Sequence, residues 1–123
     1  MAKVLVVDDE PDIRELISER LARQGHQVLS AASATEALET IDRHGAPDIA
    51  VLDIVLPGIS GLELLARLRE HRCARMSAVM LTARCLAGDE QHARALNAGF
   101  LRKPFAFADL EDAMRAQLQL QPC

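Results

Sequence analysis

Along the chain, short runs that are apolar at every position alternate with longer stretches of helical periodicity. Residues 4–7 (Val-Leu-Val-Val), 49–52 (Ile-Ala-Val-Leu) and 79–81 (Val-Met-Leu) are apolar throughout, a pattern that suits parallel strands covered on both faces. Two weaker runs, Gln27-Val28-Leu29-Ser30 and Phe100-Leu101, are partly polar or very short and read as edge strands. After the first run, Pro11 suits a first helical turn, and Ile13, Leu16, Ile17 and Leu21 recur on one face before Gly25. Ser33 with Glu36 and Ser60 with Glu63 match the capping box, so the second and third helices begin there. Leu110, Ala113, Met114 and Leu118 share one face of a fifth helix. The fourth helix, around residues 89–98, offers only Ala93, Leu96 and a few alanines, and is expected to be the loosest packed.

Five strand–helix units with strands one, three and four central predict an α/β fold. Right-handed crossovers that cover both faces then give a doubly wound, five-stranded parallel (βα)5 sheet of order 2-1-3-4-5, flavodoxin-like. In that order the winding reverses between strands one and three, and the crevice beyond their carboxyl ends is where such sheets bind ligands. Strand one runs into Asp8-Asp9 and strand three ends in Asp53, so three carboxylates converge on that crevice. At an effective dielectric of about 20, two carboxylates about 5 Å apart repel by roughly 3 kcal/mol, so the cluster calls for shared protons or a cation. A hard divalent ion is the economical answer. Mg²⁺ takes one or two carboxylates together with a phosphate oxygen and keeps several waters. Strand four ends in Thr82 and strand five in Lys103, which bring a hydroxyl and a compact positive charge to the same rim.

The length of 123 residues predicts one domain, residues 1–123, without a separate output module. Fourteen Lys and Arg against 18 Asp and Glu leave a net charge of −4, a field that disfavours direct contact with nucleic acid or anionic lipid. No run approaches the roughly 20 apolar residues of a membrane span, so no membrane partner is expected and the cytoplasm is the expected compartment. Cys73, Cys85 and Cys123 lack metal-ligand spacing and read as free thiols. His26, His44, His71 and His92 receive no role, and the arginines at 67, 69, 72 and 75 read as a solvated face.

Four motifs occur in order at strand ends: Val6-Val7-Asp8-Asp9-Glu10, Leu52-Asp53 with Leu56-Pro57-Gly58 and Gly61, Leu81-Thr82-Ala83, and Lys103-Pro104-Phe105. Together they make the chain resemble, over essentially its full length, the receiver domains of two-component response regulators. The resemblance implies that Asp53 is the phosphoacceptor. It further implies that Asp9 and Asp53 ligate Mg²⁺ with the backbone carbonyl of Val55, while Asp8 acts largely through metal-bound water. Thr82, the Ala83 backbone and Lys103 would hold the phosphoryl oxygens, and a cis Lys103–Pro104 bond would aim the lysine inward. Thr82 and Phe100 would form the switch, read out on the face of helix four, strand five and helix five. Val55 and Arg84 occupy the positions beside the attacking water and are expected to slow self-dephosphorylation. The donor would be a phosphohistidine on a sensor histidine kinase or histidine phosphotransfer protein, the recipient of the signal a downstream protein target, with homodimerisation on phosphorylation open. In this reading the chain is a stand-alone switch or relay intermediate and not an enzyme turning over an external substrate.

The resemblance is imperfect in places. Gly99 directly precedes Phe100, so the stretch 89–99 is remodelled, and Phe100 lacks the hydroxyl of the common tyrosine. A degenerate receiver that binds a partner without phosphorylation is the alternative. A haloacid-dehalogenase-type phosphatase wants Asp-x-Asp after its first strand, where this chain has Asp8-Asp9. Flavodoxin itself wants Ser, Thr and Gly in the first strand–helix loop to cradle a flavin phosphate, and they are missing.

Overall fold

The computed structural model describes residues 2–71, 75–83 and 87–119. Five strands, β1 (Lys3–Val7), β2 (Gln27–Ala31), β3 (Ile49–Asp53), β4 (Ser77–Thr82) and β5 (Gly99–Arg102), alternate with α1 (Pro11–Arg23), α2 (Ala34–His44), α3 (Gly61–His71), α4 (Asp89–Ala95) and α5 (Phe107–Gln119). The sheet is wholly parallel in the order β2-β1-β3-β4-β5, the order the apolar runs predict.

Strand side chains alternate between two cores because successive Cβ atoms point to opposite faces. Val4, Val6, Ile49, Val51, Val79 and Leu81 face α1 and α5, where they meet Ile17, Leu21, Leu110 and Met114. Leu5, Val7, Ala50, Leu52, Ala78 and Met80 face α2, α3 and α4, where they meet Ala37, Ile41, Leu64, Leu65, Leu68 and Ala93. Full burial on both faces is why β1, β3 and β4 carry no polar residue along most of their length. β2 and β5, with partly exposed side chains, are the edges.

α2 and α3 start where the caps predict. Ser33 Oγ accepts from the Glu36 amide at 3.2 Å, and Ser60 Oγ from the Glu63 amide at the same distance. The reciprocal half of the first box goes to the Ala32 amide, which donates to Glu36 Oε1 at 3.3 Å.

Three details depart from the sequence reading. Leu16 is 57% exposed: the buried stripe of α1 runs through Ile17 and Leu21, and Leu16, a hundred degrees around the helix, falls outside it. The fourth helix is shorter than residues 89–98, ending at Ala95 with Leu96 as its C-cap, and Ala93 is its buried residue. Asn97 adopts φ +55° in the turn that follows, which lets β5 begin at Gly99, one residue earlier than Phe100.

Arg69 overturns the solvated-arginine expectation. Its Nε and Nη2 donate to the Met76 carbonyl at 3.1 and 3.0 Å, and its Nη1 donates to the Leu96 carbonyl. Arg67 pairs with Glu63 on the surface as expected, at 3.0 Å, and Arg75 is exposed. Arg72 and the three cysteines lie outside the described residues.

Candidate acidic site at the carboxyl edge of the sheet

The ladder of parallel hydrogen bonds continues one residue beyond the strands and fixes the backbone of the site. The Asp8 amide donates to the Ala31 carbonyl at 3.2 Å, the Ile54 amide to Leu81 at 2.8 Å and the Lys103 amide to Thr82 at 2.8 Å. Asp8, Asp53, Thr82 and Lys103 therefore leave neighbouring strands at the same edge, as the topology predicts. Asp8 and Thr82 are fully buried and Asp53 is 4% exposed. Asp9 and Glu10 stand exposed at the rim.

Lys103 closes the cluster. Its Nζ lies 2.7 Å from Asp8 Oδ2, 3.0 Å from Asp53 Oδ2 and 3.1 Å from Glu10 Oε1, with the side chain only 7% exposed. Burial alone would push the ammonium toward neutrality, but the hydrogen bonds and charges of Asp8 and Asp53 outweigh it and hold Lys103 above its ordinary value. Asp53 moves the other way. Burial raises its carboxyl above the ordinary range, and the bond from Lys103 only partly offsets this, with the Asp8 charge adding to the rise.

The turn after β3 is held as tightly. The Val55 amide donates to Asp53 Oδ1 at 3.1 Å. The Gly61 amide donates to the Ile54 carbonyl at 2.8 Å. A Cβ on Gly61 would sit 2.1 Å from the Asp53 carbonyl oxygen, so the first turn of α3 packs against the main chain of Asp53 at a distance that only glycine permits. On the β1 side, Arg14 Nη1 donates to the Asp8 carbonyl at 2.8 Å and the Glu10 amide to Asp8 Oδ1 at 2.9 Å.

The structure thus brings Asp8, Asp9, Asp53, Thr82 and Lys103 to one edge. Ala83 is exposed just beyond Thr82, and Val55 is 51% exposed on the rim. The Lys103–Pro104 bond is cis. Phe100 is half-buried against the core on the α3 and α4 side. Arg84 lies outside the described residues. Glu10, given no role by the sequence reading, belongs to the cluster, and its place as the third acid in the run Asp8-Asp9-Glu10 was the signal available. Arg14 was likewise missed, because nothing in a helical pattern marks an arginine that turns back to the strand before it.

Carboxylate oxygens of Asp8, Asp9, Glu10 and Asp53 all lie within 4.8 Å of one another. Four carboxyl groups clustered around a fixed backbone offer hard oxygen donors, the kind that fit a hard divalent cation such as Mg²⁺.

The chain matches the family model described as the response regulator receiver domain over residues 4–115. It is similar to the transcriptional regulatory protein TcrA of Mycobacterium tuberculosis, 38% identical over 117 residues that cover 93% of this chain and 45% of TcrA. It is similar also to the two-component response regulator PhoP of Pseudomonas aeruginosa, 38% identical over 118 residues, 95% of this chain and 52% of PhoP. The chain thus spans about half the length of these relatives. Among solved structures, its fold is similar to a CheY-like receiver domain protein from Methanospirillum hungatei, with TM-score 0.87 and 28% identity, covering 97% of this chain and 94% of that one. The response regulator TrrA of Thermotoga maritima, solved in complex with Mg²⁺-BeF, matches with TM-score 0.81 and 34% identity, covering 95% and 99%. Sheet order, the acid-and-lysine edge and the extent of the family match lead to one assignment: the chain belongs to the response regulator receiver domains.

Proposed function

We propose that this domain accepts a phosphoryl group on Asp53 from a phosphohistidine of a sensor histidine kinase or histidine phosphotransfer protein, with Mg²⁺ held by Asp8, Asp9 and Asp53 and the Val55 carbonyl. The observation that carries the reading is the Lys103 ammonium placed within 3.0 Å of both Asp8 and Asp53 carboxylates. A carboxylate is a weak nucleophile, and phosphoryl transfer asks mainly for positioning and charge neutralisation. Asp53 is positioned by the Val55 amide and by the contact of Gly61 with its main chain. Lys103 supplies a fixed positive charge beside it. Mg²⁺, when bound, would neutralise further charge on the acids and on the transferred group.

In the transfer, the P–N bond of the donor breaks and its electron pair stays on the imidazole nitrogen, which takes up a proton. A P–O bond forms to an Asp53 carboxylate oxygen. Thr82, the Ala83 amide and Lys103 then receive the phosphoryl oxygens. In the later hydrolysis, water attacks phosphorus and forms a new P–O bond, the P–O bond to Asp53 breaks with its electron pair on the carboxylate, and inorganic phosphate leaves with the water's oxygen, its released proton going to solvent. The domain is a switch rather than an enzyme with an external substrate.

An apolar groove of about 530 Å³ opens beside Lys103. Its walls are Ile13 and Leu16 on α1 and Phe105 and Phe107 after β5. It gives a protein donor a surface to rest on next to the acceptor. The signal would leave through α4, β5 and α5 as Thr82 and Phe100 rearrange, toward a downstream protein. A cytoplasmic phosphohistidine donor and the ready supply of Mg²⁺ there make the cytoplasm the place of action; among the described residues no helix is long and apolar enough to cross a membrane.

Intact-mass spectrometry after incubation with Mg²⁺ and acetyl phosphate tests the reading. One phosphoryl adduct is expected on the unaltered chain and none on Asp53→Asn. Equal adduct on both removes Asp53 from its role.

A further inference from the structure

An ammonium group has three N–H donors and no more. On Lys103 all three point at carboxylates: Asp8 at 2.7 Å, Asp53 at 3.0 Å and Glu10 at 3.1 Å. A phosphoryl oxygen that is to be held by Lys103 while Asp53 is still free to attack must displace one of them.

The three are not equally held. Asp8 is fully buried, and its other oxygen accepts the Glu10 amide at 2.9 Å. Asp53 is 4% exposed, and its other oxygen accepts the Val55 amide. Glu10 makes the longest of the three contacts, its side chain is 54% exposed, and among the described residues no second hydrogen bond ties its carboxylate down. Released from Lys103 it returns to water, whereas Asp8 or Asp53 would be left as a buried charge short of a partner. Its reach toward Lys103 is also not accidental, since the amide of the same residue is pinned to Asp8.

We propose that Glu10 is a competitor built into the site: its carboxylate occupies the donor of Lys103 that an arriving phosphoryl oxygen takes, and its departure is part of accepting the phosphoryl group. Glu10 acts through Lys103 and is a positioning residue, one that holds the lysine in its resting arrangement. The inference rests on the reading of Asp53 as phosphoacceptor.

Beryllium fluoride with saturating Mg²⁺ serves as the phosphoryl mimic, its affinity measured by titration calorimetry on the whole chain, alongside the rate of adduct formation from acetyl phosphate. Saturating Mg²⁺ removes any effect of Glu10 on the ion's own affinity. Glu10→Gln keeps the shape and loses the charge. Glu10→Asp keeps the charge and loses a methylene of reach. Asp12→Asn removes an exposed charge from the first turn of α1 without touching Lys103. Both Glu10 variants are expected to bind beryllium fluoride about threefold to fivefold tighter, the ratio that matches the upper range for a partly exposed ion pair, and to form adduct faster. Asp12→Asn should stay within about twofold of the unaltered chain, as expected for one screened charge.

Unchanged affinity in Glu10→Gln overturns the proposal. So does a pattern in which Glu10→Asp behaves as the unaltered chain while Glu10→Gln and Asp12→Asn shift alike, because the effect is then general charge. If the unaltered chain binds no beryllium fluoride and forms no adduct, the phosphoacceptor reading itself falls, and the proposal with it.

Discussion

Asp53 carries two demands that conflict. As a nucleophile it must be ionised, yet it lies buried beside Asp8 and its carboxyl is raised above the ordinary range, chiefly by desolvation. The consequence for stability has a definite sign. Between the ordinary value and the raised one the fold binds more protons than the unfolded chain, so stability falls as pH rises through that window. At neutral pH ionised Asp53 is therefore a net destabilising group, a cost that sites commonly carry for function. Asp53→Asn is expected to raise stability by about 1 kcal/mol, seen as a melting temperature a few degrees higher. Lys103 keeps Asp8 and Glu10 as partners in that variant. A lower melting temperature for Asp53→Asn at pH 7 would show that the lysine contact outweighs burial. Asp8 and Asp53 were legible beforehand because each sits where an apolar run stops, and Lys103 because it stands just past the end of the last strand, before Pro104. Glu10 and Arg14 were not, since their roles are bonds to atoms brought near only by the turn after β1.

Among the elements, α4 and its exit differ from the rest. The helix has seven residues and buries Ala93, so little apolar area holds it down. Its C-terminal end is nevertheless clasped from two sides. Arg69 on α3 joins the Leu96 carbonyl to the Met76 carbonyl just before β4. Gln117 on α5, in the amide orientation that satisfies both neighbours, donates to the Asn97 carbonyl at 2.7 Å and accepts from the Gly99 amide at 3.1 Å. Partial burial pushes the Arg69 guanidinium down from its ordinary value, yet it stays charged, and bonds from charged donors are the stronger ones. Arg69→Ala is expected to cost roughly 2–3 kcal/mol in urea unfolding and to speed amide exchange through residues 89–98. Arg69→Lys should restore little of it, because a point charge cannot span both carbonyls as the planar fork does. Full recovery with lysine, or unchanged exchange, would count against the clasp. A weak helix could be read from its few apolar residues. The clasp could not, because an arginine between Leu68 and Glu70, with Arg67 and His71 beyond them, reads as surface until the turn after α4 folds over it.

At the scale of the whole molecule, the buried polar side chains show how the sheet divides its labour. Among the described residues these are Asp8, Asp53, Ser77 and Thr82; three lie at the carboxyl edge, and Ser77 lies at the other end, bonded to the Gln117 carbonyl at 3.1 Å. The strand order was legible because full burial of three runs puts them in the centre and leaves two for the edges, and that order alone gathers the acids. What it gathers is a cluster of acids: Asp8, Asp9, Glu10 and Asp53 within 4.8 Å of one another, with Lys103 paired to Asp8, Glu10 and Asp53. A ligand that binds the fold but not the unfolded chain stabilises it by mass action. Mg²⁺ at about 100 times its dissociation constant is expected to add about 2.7 kcal/mol, and the melting temperature should climb with the logarithm of its concentration. Screening cannot mimic this: NaCl at matched ionic strength weakens the repulsion among exposed acids but does not reach Asp8 and Asp53, which are buried. Asp8→Asn and Asp53→Asn should each lose most of the Mg²⁺ response. If either melts with the full response, or if NaCl reproduces it, the ion binds elsewhere on this chain and the acidic edge is not its site.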